Sequence, residues 1–295
     1  MEVNTKMTVS SLSNADRAKI LVEALPYIRK YVNKVIVIKY GGNAMTSDGL
    51  KSDVMGDIVL LTLIGVKVVL VHGGGPEITD MLAKTGKKSE FVEGLRVTDR
   101  ETVDIVQMVL AGKVNKDLVN LLETKGGRAV GLSGIDGRMI MAKPKDERLG
   151  YVGEITKVNP APVWDMLDRG YVPVISTVGC DEEGNTYNID ADTAAAMIAG
   201  AIRAESFFTL TDVRGILRDK DDPESLIRVV KTDETEDLIK SGVISGGMIP
   251  KVRSCTEAIN GGVKRVFVID GRIPHAILIE MLTDEGVGTM FTKGE

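Results

Sequence analysis

The sequence predicts a doubly wound α/β sandwich, a mainly parallel sheet covered by helices on both faces. Three observations point there. Short Val/Ile-rich runs each end in glycine or a polar turn. Those runs are continuously apolar rather than alternating, as strands buried on both faces are. Amphipathic helical patterns separate them, so strand and helix alternate along the chain. With 295 residues the chain is long enough for one large domain or two modest lobes around a real core.

The elements follow in order. Ser13-Asn14 reads as a helix cap, and Ile20, Leu21, Ala24, Leu25 and Ile28 form one apolar stripe over residues 15–31. A helix placed before the first core strand packs on its own domain or serves as an oligomer contact. Val35-Ile36-Val37-Ile38-Lys39-Tyr40 is the first strand and ends at Gly41-Gly42. A helix over residues 48–64 leads to Val66-Lys67-Val68-Val69-Leu70-Val71, which ends at His72-Gly73-Gly74-Gly75. Helical patterns cover residues 76–85 and 99–124. Residues 127–157 break the rhythm: they are β-rich, and the expectation is hairpins projecting from the sheet edge, as a lid or as simple connection. A helix over 160–168 precedes Tyr171-Val172-Pro173-Val174-Ile175, and another over 190–202 precedes Ser206-Phe207-Phe208-Thr209-Leu210. Helices over 232–241 and 247–260 and a strand over 263–269 complete the pattern.

Composition narrows the partners. Apolar residues make up 43% and the formal charge is −5, so no broad attraction to nucleic acid or an anionic membrane is expected. Cys180 and Cys255 lie far apart with no metal-ligand spacing and read as buried reduced thiols. The polar start of the chain lacks the apolar core of a secretory signal, and the apolar stretch 58–71 is interrupted by Lys67. A cytoplasmic protein acting on a small molecule is expected.

Four constellations carry chemistry. Gly41-Gly42 and Gly73-Gly74-Gly75 each follow a buried strand and precede a helix, where backbone N–H groups and the helix dipole favour an anion. Neither is a P-loop or a dinucleotide fingerprint. A lone glycine pair is usually only a tight turn, but two such loops, one with Lys39 just before it, point to phosphate. Second, Asp190 and Asp192 open an Ala-rich helix: capping explains Asp190, while Asp192 has no capping task and is free to face a site. Third, Thr209-Leu210-Thr211-Asp212-Val213-Arg214-Gly215-Ile216-Leu217 is a strand running into an Asp/Gly turn. Fourth, Gly246-Gly247-Met248-Ile249-Pro250-Lys251 puts a lysine in a first helical turn, against the dipole, which calls for an anionic partner.

In combination and in this order, these residues resemble the amino acid kinase superfamily, and closely its N-acetylglutamate kinase branch. The resemblance runs from Val35 to Phe291. It rests on Lys39-Tyr40-Gly41-Gly42-Asn43-Ala44, Val71-His72-Gly73-Gly74-Gly75-Pro76, Gly94-Leu95-Arg96-Val97-Thr98, Tyr187-Asn188-Ile189-Asp190-Ala191-Asp192, Leu210-Thr211-Asp212-Val213 and the Gly246–Lys251 segment. It implies a three-layer αβα sandwich of the carbamate kinase-like type. It also implies ATP-dependent phosphorylation of N-acetyl-L-glutamate to N-acetyl-L-glutamyl 5-phosphate, on the acetylated route to arginine.

The family pattern implies roles residue by residue. Lys39 and Lys251 would flank the transferring phosphoryl group, with Asp192 holding both. Gly41, Gly42 and Gly74 would give N–H groups to phosphate, and Gly74, Gly75, Arg96 and Asn188 would bind acetylglutamate, Arg96 on its α-carboxylate. Asp212, Val213, Gly215 and Leu217, with Val243 and Ser245, would hold the adenine nucleotide. Mg²⁺ would be carried by the ATP phosphates with few or no protein ligands. An acetylglutamate lobe over about residues 34–200 and a nucleotide lobe over about 201–295 are expected.

The arginine-inhibited hexameric members of the family share the N-terminal helix, placed here within residues 1–33, and a C-terminal pattern like that of residues 275–290. Tyr27, Lys264, Glu280 and Gly286 are thus candidates for an arginine site, in a hexamer built as a trimer of dimers. Alternatives are an aminoadipate-type kinase, glutamate 5-kinase, carbamate kinase or aspartokinase, or a non-catalytic nucleotide or arginine sensor. The aminoadipate branch lies nearest, because pockets discriminate one methylene weakly.

Overall fold

The computed structural model describes residues 12–45 and 47–294. Residues 1–11 of the N-terminal segment lie outside them, as do the side chains of Asn43 and Ala44 in the first glycine motif. In chain order the elements begin with α1 (Asn14–Glu23), α2 (Leu25–Tyr31), β1 (Val35–Tyr40), α3 (Asp48–Leu63), β2 (Lys67–His72) and α4 (Gly75–Lys84). Then come β3 (Phe91–Val92), β4 (Leu95–Arg96), α5 (Arg100–Gln107), a π-helical stretch Met108–Val114, and α6 (Asn115–Thr124). The middle holds β5 (Ala129–Ser133), β6 (Ile140–Pro144), β7 (Gly153–Val158), α7 (Ala161–Asp168), β8 (Val172–Ser176), β9 (Val178–Cys180), β10 (Thr186–Asn188) and α8 (Ala191–Ala201). The chain closes with β11 (Ser206–Thr211), β12 (Val229–Lys231), α9 (Thr235–Lys240), α10 (Met248–Asn260), β13 (Arg265–Asp270), α11 (Ala276–Leu282) and β14 (Thr289–Thr292).

The main sheet has eight strands in the order β12-β14-β13-β11-β1-β2-β8-β5, parallel except for the β13–β14 pair. Side chains of β1 alternate between two cores. Ile36, Ile38 and Tyr40 face the layer of α3, α4, α5, α6 and α11, whereas Val35 and Val37 face that of α7, α8 and α10. This is why the strand reads as apolar throughout: both faces are buried, and period-2 alternation sorts one hydrophobic run between two layers. The same parity sends Lys39 to the α8 and α10 side. Helix α8 lies close to the sheet because Ala194, Ala195, Ala196 and Ala199 are small and fully buried.

Two expectations are corrected. The N-terminal stripe is not one helix: Pro26 opens a new helix after a break at Ala24, since proline cannot donate the N–H that a continuing helix needs. Residues 127–157 do not all project from the edge. β5 is itself the edge strand of the main sheet, and only β6–β7 leaves it, joining β9 and β10 in a second, four-stranded sheet. Among the described residues no helix is long and apolar enough to cross a membrane.

Candidate active site

The two glycine loops meet at the C-terminal ends of β1 and β2, the end at which parallel α/β sheets place their ligands. A side chain on Gly41 would come within 3.5 Å of the Lys39 Cε and Nζ, and one on Gly73 within 3.3 Å of the Ala191 Cβ. These close approaches bring the β1 turn, the β2 turn and the start of α8 together around the Lys39 ammonium. Gly42 has φ +66°, a left-handed conformation that suits glycine.

Asp192 stands at the centre. Asp190 caps α8 by accepting the Thr193 N–H at 2.9 Å, which leaves Asp192 in the first turn free of that task. Its Oδ1 lies 2.9 Å from Lys39 Nζ, an ionic contact without hydrogen-bond alignment. Its Oδ2 accepts a hydrogen bond from Lys251 Nζ at 2.8 Å. Burial alone would raise the carboxyl's pKa, but the two lysines overcome it and hold Asp192 at about 2. Burial lowers and Asp192 raises the Lys251 pKa, with a net rise. The lysine placed against the α10 dipole therefore has its anionic partner.

Beside this cluster is a cavity of about 180 Å³, lined among others by Gly74, Gly75, Phe91, Arg96, Leu110 and Asn188. Arg96 is 7% exposed and lies over the Phe91 ring at 4.8 Å. Its guanidinium donates to the Gly75 carbonyl at 3.0 Å, to Thr79 Oγ1 at 2.9 Å and to Ser89 Oγ. All three acceptors are neutral, so a buried cation faces the cavity without a carboxylate among these bonds. Asn188 donates from Nδ2 to Thr98 Oγ1 at 3.3 Å. A second cavity of about 780 Å³ shares Gly94, Leu95 and Asp190 with the first and adds Asp192, Gly246, Gly247 and Lys251. Lys251 and Asp192 thus line the larger cavity directly, and Lys39 stands behind Asp192.

The nucleotide candidates occupy two loops. Asp212 is exposed at the end of β11, and Gly215, at φ +144°, leads into an Ile216 N–H that donates to Thr289 Oγ1 at 2.8 Å. Leu217 bridges to Leu226. Val243 and Ser245 flank Ile244, which is buried between α9 and α10. Of the effector candidates, Tyr27 donates to Asp284 and Glu280 accepts the Val287 N–H at 2.7 Å beside Gly286. Lys264 pairs elsewhere, with Glu205 at 2.9 Å.

Sequence reasoning missed several lining residues. Lys145, carried by the β6–β7 hairpin, and Arg253, nearly two turns along α10 from the glycine pair, add positive charge to the larger cavity. Leu110 in the π-helical stretch and Phe91 in the β3–β4 hairpin add apolar walls to the smaller one. Nothing local marks Lys145 or Leu110 in the sequence.

The amino acid kinase family model matches residues 34–270. An acetylglutamate kinase of Brachyspira hyodysenteriae is 53% identical over 287 residues, which cover 97% of this chain and all of that protein. Among solved structures, the N-acetylglutamate synthase of Neisseria gonorrhoeae with coenzyme A and N-acetyl-glutamate superposes with a TM-score of 0.83 at 28% identity. That match covers 94% of this chain but only 64% of the synthase chain, so this chain spans less than two thirds of it. The same synthase with coenzyme A and L-arginine gives a TM-score of 0.79 at 26% identity.

Proposed function

Because the chain belongs to the amino acid kinase family, and its near-full-length relatives are acetylglutamate kinases, we infer that it transfers the γ-phosphoryl group of ATP to the side-chain carboxylate of N-acetyl-L-glutamate. The products are N-acetyl-L-glutamyl 5-phosphate and ADP. The observation that carries the reading is Asp192 held between Lys39 and Lys251, with Asp192 and Lys251 lining the larger cavity that shares Gly94, Leu95 and Asp190 with the smaller one.

The acceptor carboxylate is already ionised at neutral pH, so no general base is needed. One carboxylate oxygen attacks the γ-phosphorus while the bond to the ADP oxygen breaks. Catalysis then consists of alignment and charge neutralisation. Lys39 and Lys251 offset the charge on the transferring group. Asp192 fixes their positions, and Gly41, Gly42 and Gly74 present N–H groups to phosphate. Arg96 clamps the α-carboxylate, a role its fork geometry fits; Asn188 and Gly75 complete the acetylglutamate site. Asp212, Val213, Gly215, Leu217, Val243 and Ser245 hold the adenine nucleotide.

The site fits Mg²⁺ carried in by the nucleotide, since Asp192 is committed to two ammonium groups and phosphate oxygens and water remain as ligands. Bound there, the ion would neutralise charge on the ATP phosphates. The cavity linings support an acetylglutamate lobe over about residues 34–200, with the nucleotide loops in about 201–295. A cytoplasmic location follows from the biosynthetic reaction.

Arginine feedback and a hexamer are part of the same proposal. Ile20, Leu21, Val22 and Leu25 are exposed on α1 and the start of α2, an apolar face suited to pairing with a second copy. Tyr27 ties this segment to Asp284, close to Glu280 and Gly286 in the chain. The structural likeness to a synthase solved with L-arginine points the same way.

Release of ADP with acetylglutamate, and not with the acetylated aminoadipate homologue, together with trapping of the acyl phosphate as a hydroxamate, is the expected result. Equal turnover of the two acceptors would replace the assignment.

A further inference from the structure

His72 is a fully buried ionisable group to which the phosphoryl-transfer mechanism gives no task. It ends β2, in register with Tyr40 of β1 and Ser176 of β8, immediately before the three glycines. Its Nε2 is 3.1 Å from Asn115 Nδ2, and its Nδ1 is 2.8 Å from the Gly73 carbonyl oxygen.

The polarity of this chain of contacts follows from chemistry. Asn115 is 1% exposed and stands at the end of the π-helical stretch. Its amide reaches two strand carbonyls, Val174 O at 2.8 Å and Leu132 O at 3.2 Å. Carbonyls only accept, so the NH₂ end must face them, and that same nitrogen faces His72. The other end agrees, because Oδ1 accepts from Lys116 Nζ at 3.0 Å. A side chain on Gly131 would overlap Oδ1, so the bare β5 backbone there makes room for the amide. His72 Nε2 is therefore the acceptor, and its proton resides on Nδ1, which donates to Gly73 O. Burial, aided by the nearby Lys116 charge, holds the imidazole pKa down at about 4 against the Gly73 hydrogen bond. The ring is thus neutral at physiological pH.

A trans peptide carries its C=O and the following N–H in opposite directions. With the Gly73 carbonyl held toward His72, the Gly74 N–H points away from the strand core, toward the cavity that Gly73, Gly74 and Gly75 line. None of the described hydrogen bonds uses that N–H. A peptide between two glycines has little intrinsic preference to keep this orientation, so an outside clamp matters. A side chain at Gly74 would come within 2.7 Å of Leu110 Cδ2, so the glycine packs closely against that wall of the cavity. The π-helical stretch and the residue that ends it thus supply Leu110 beside the glycine and Asn115 beside the histidine.

We propose that His72, oriented by Asn115, is a positioning residue that fixes the Gly73–Gly74 peptide so that the Gly74 N–H is aimed at the oxygens of the transferring phosphoryl group. The proposal rests on the kinase reading above and adds to it the group that sets one of its anion donors. A preorganised donor stabilises developing charge because it need not reorient during the reaction.

The chain contains two histidines, so imidazole ¹⁵N spectra of the wild type and of His275→Asn isolate His72. The expected spectrum is a neutral ring protonated on Nδ1 from pH 6 to 8, as the buried site dictates at about neutral pH. A ring protonated on Nε2 instead would overturn the proposal without any variant of His72. His72→Asn and His72→Gln then read out function. The asparagine amide can take the place of Nδ1 and keep the bond to Gly73, whereas the glutamine amide reaches only the Nε2 end. His72→Gln is expected to lower kcat by about 10- to 100-fold with a smaller change in KM, and His72→Asn to recover most of that loss. Equal kcat in all three proteins, or equal losses in both variants, would refute the positioning role. Wild-type protein that releases no ADP with acetylglutamate would remove the kinase reading instead, and the ¹⁵N spectrum would still report on the clamp.

Discussion

A buried guanidinium held only by neutral oxygens, as Arg96 is, favours a carboxylate ligand for the ion pair it otherwise lacks. Arg96→Lys keeps the charge and loses the fork, so KM for acetylglutamate should rise by more than kcat falls; initial rates at varied acetylglutamate check this. On the proposed mechanism Lys39→Ala and Lys251→Ala each remove a cation that flanks the transferring phosphoryl group, and each should lower kcat by roughly 10²- to 10³-fold. Asp192→Asn should be worse for stability than either, because it leaves two lysines unneutralised. Its folded pKa is depressed to about 2, so its contribution is complete above the unfolded value of about 4 and disappears as pH falls through about 2. Urea midpoints of wild type and Asp192→Asn should therefore converge only in that acidic window. At this scale the sequence was informative wherever a charge stood out of place. Lys39 is a cation in an apolar strand, Lys251 opposes a helix dipole, and Asp192 follows a residue that already caps. Lys145 and Arg253 broke no local rule, and only the tertiary fold brings them to the cavity.

At the scale of elements, α3 and α11 are joined by Asp57 and His275, with Oδ1 and Nδ1 2.6 Å apart. Burial pushes Asp57 up to about 6 even though His275 opposes this, and Asp53 on the same helix adds to the rise. The hydrogen bond to Asp57 raises His275 in turn, against its own partial burial and with help from Asp53. Both folded values exceed the unfolded ones. The histidine's contribution is complete below about pH 6.5 and is lost as pH rises through its raised value; that of Asp57 is lost through about 6. His275→Asn, an exchange suited to the residue's φ of +58°, should thus destabilise the protein more at pH 6 than at pH 9. Equal urea-midpoint shifts at the two pH values would contradict the coupling. The long helical pattern over residues 99–124 was legible as one helix, but the π-helical stretch within it was not. One widened turn leaves the spacing of apolar residues nearly intact while rotating everything beyond it, and such turns recur at functional sites. The second sheet was hidden for a related reason: β9 and β10 are three residues each, too short for a period to show.

For the molecule as a whole, the proposed hexamer and arginine feedback predict that removal of residues 1–33 leaves ADP release with acetylglutamate nearly intact, yields smaller units than the full chain and abolishes inhibition by arginine. Light scattering and an arginine titration measure both, and undiminished inhibition would sink the effector assignment. The doubly wound architecture was legible because a sheet buried on both faces imprints continuous apolar runs. The strand order was not, since it depends on pairings between distant segments. That order has a consequence for synthesis on the ribosome. β1 emerges early and finds β2 soon after, but its other neighbour, β11, is made much later. Until then a strand that is buried along its whole length in the finished fold offers an unpaired edge, the kind that recruits other chains. The Asp192 cluster assembles on the same schedule, with Lys39 waiting first for Asp192 and then for Lys251. A nascent chain therefore has no partial activity to lose, and the interval of greatest exposure to aggregation ends when β11 closes over β1.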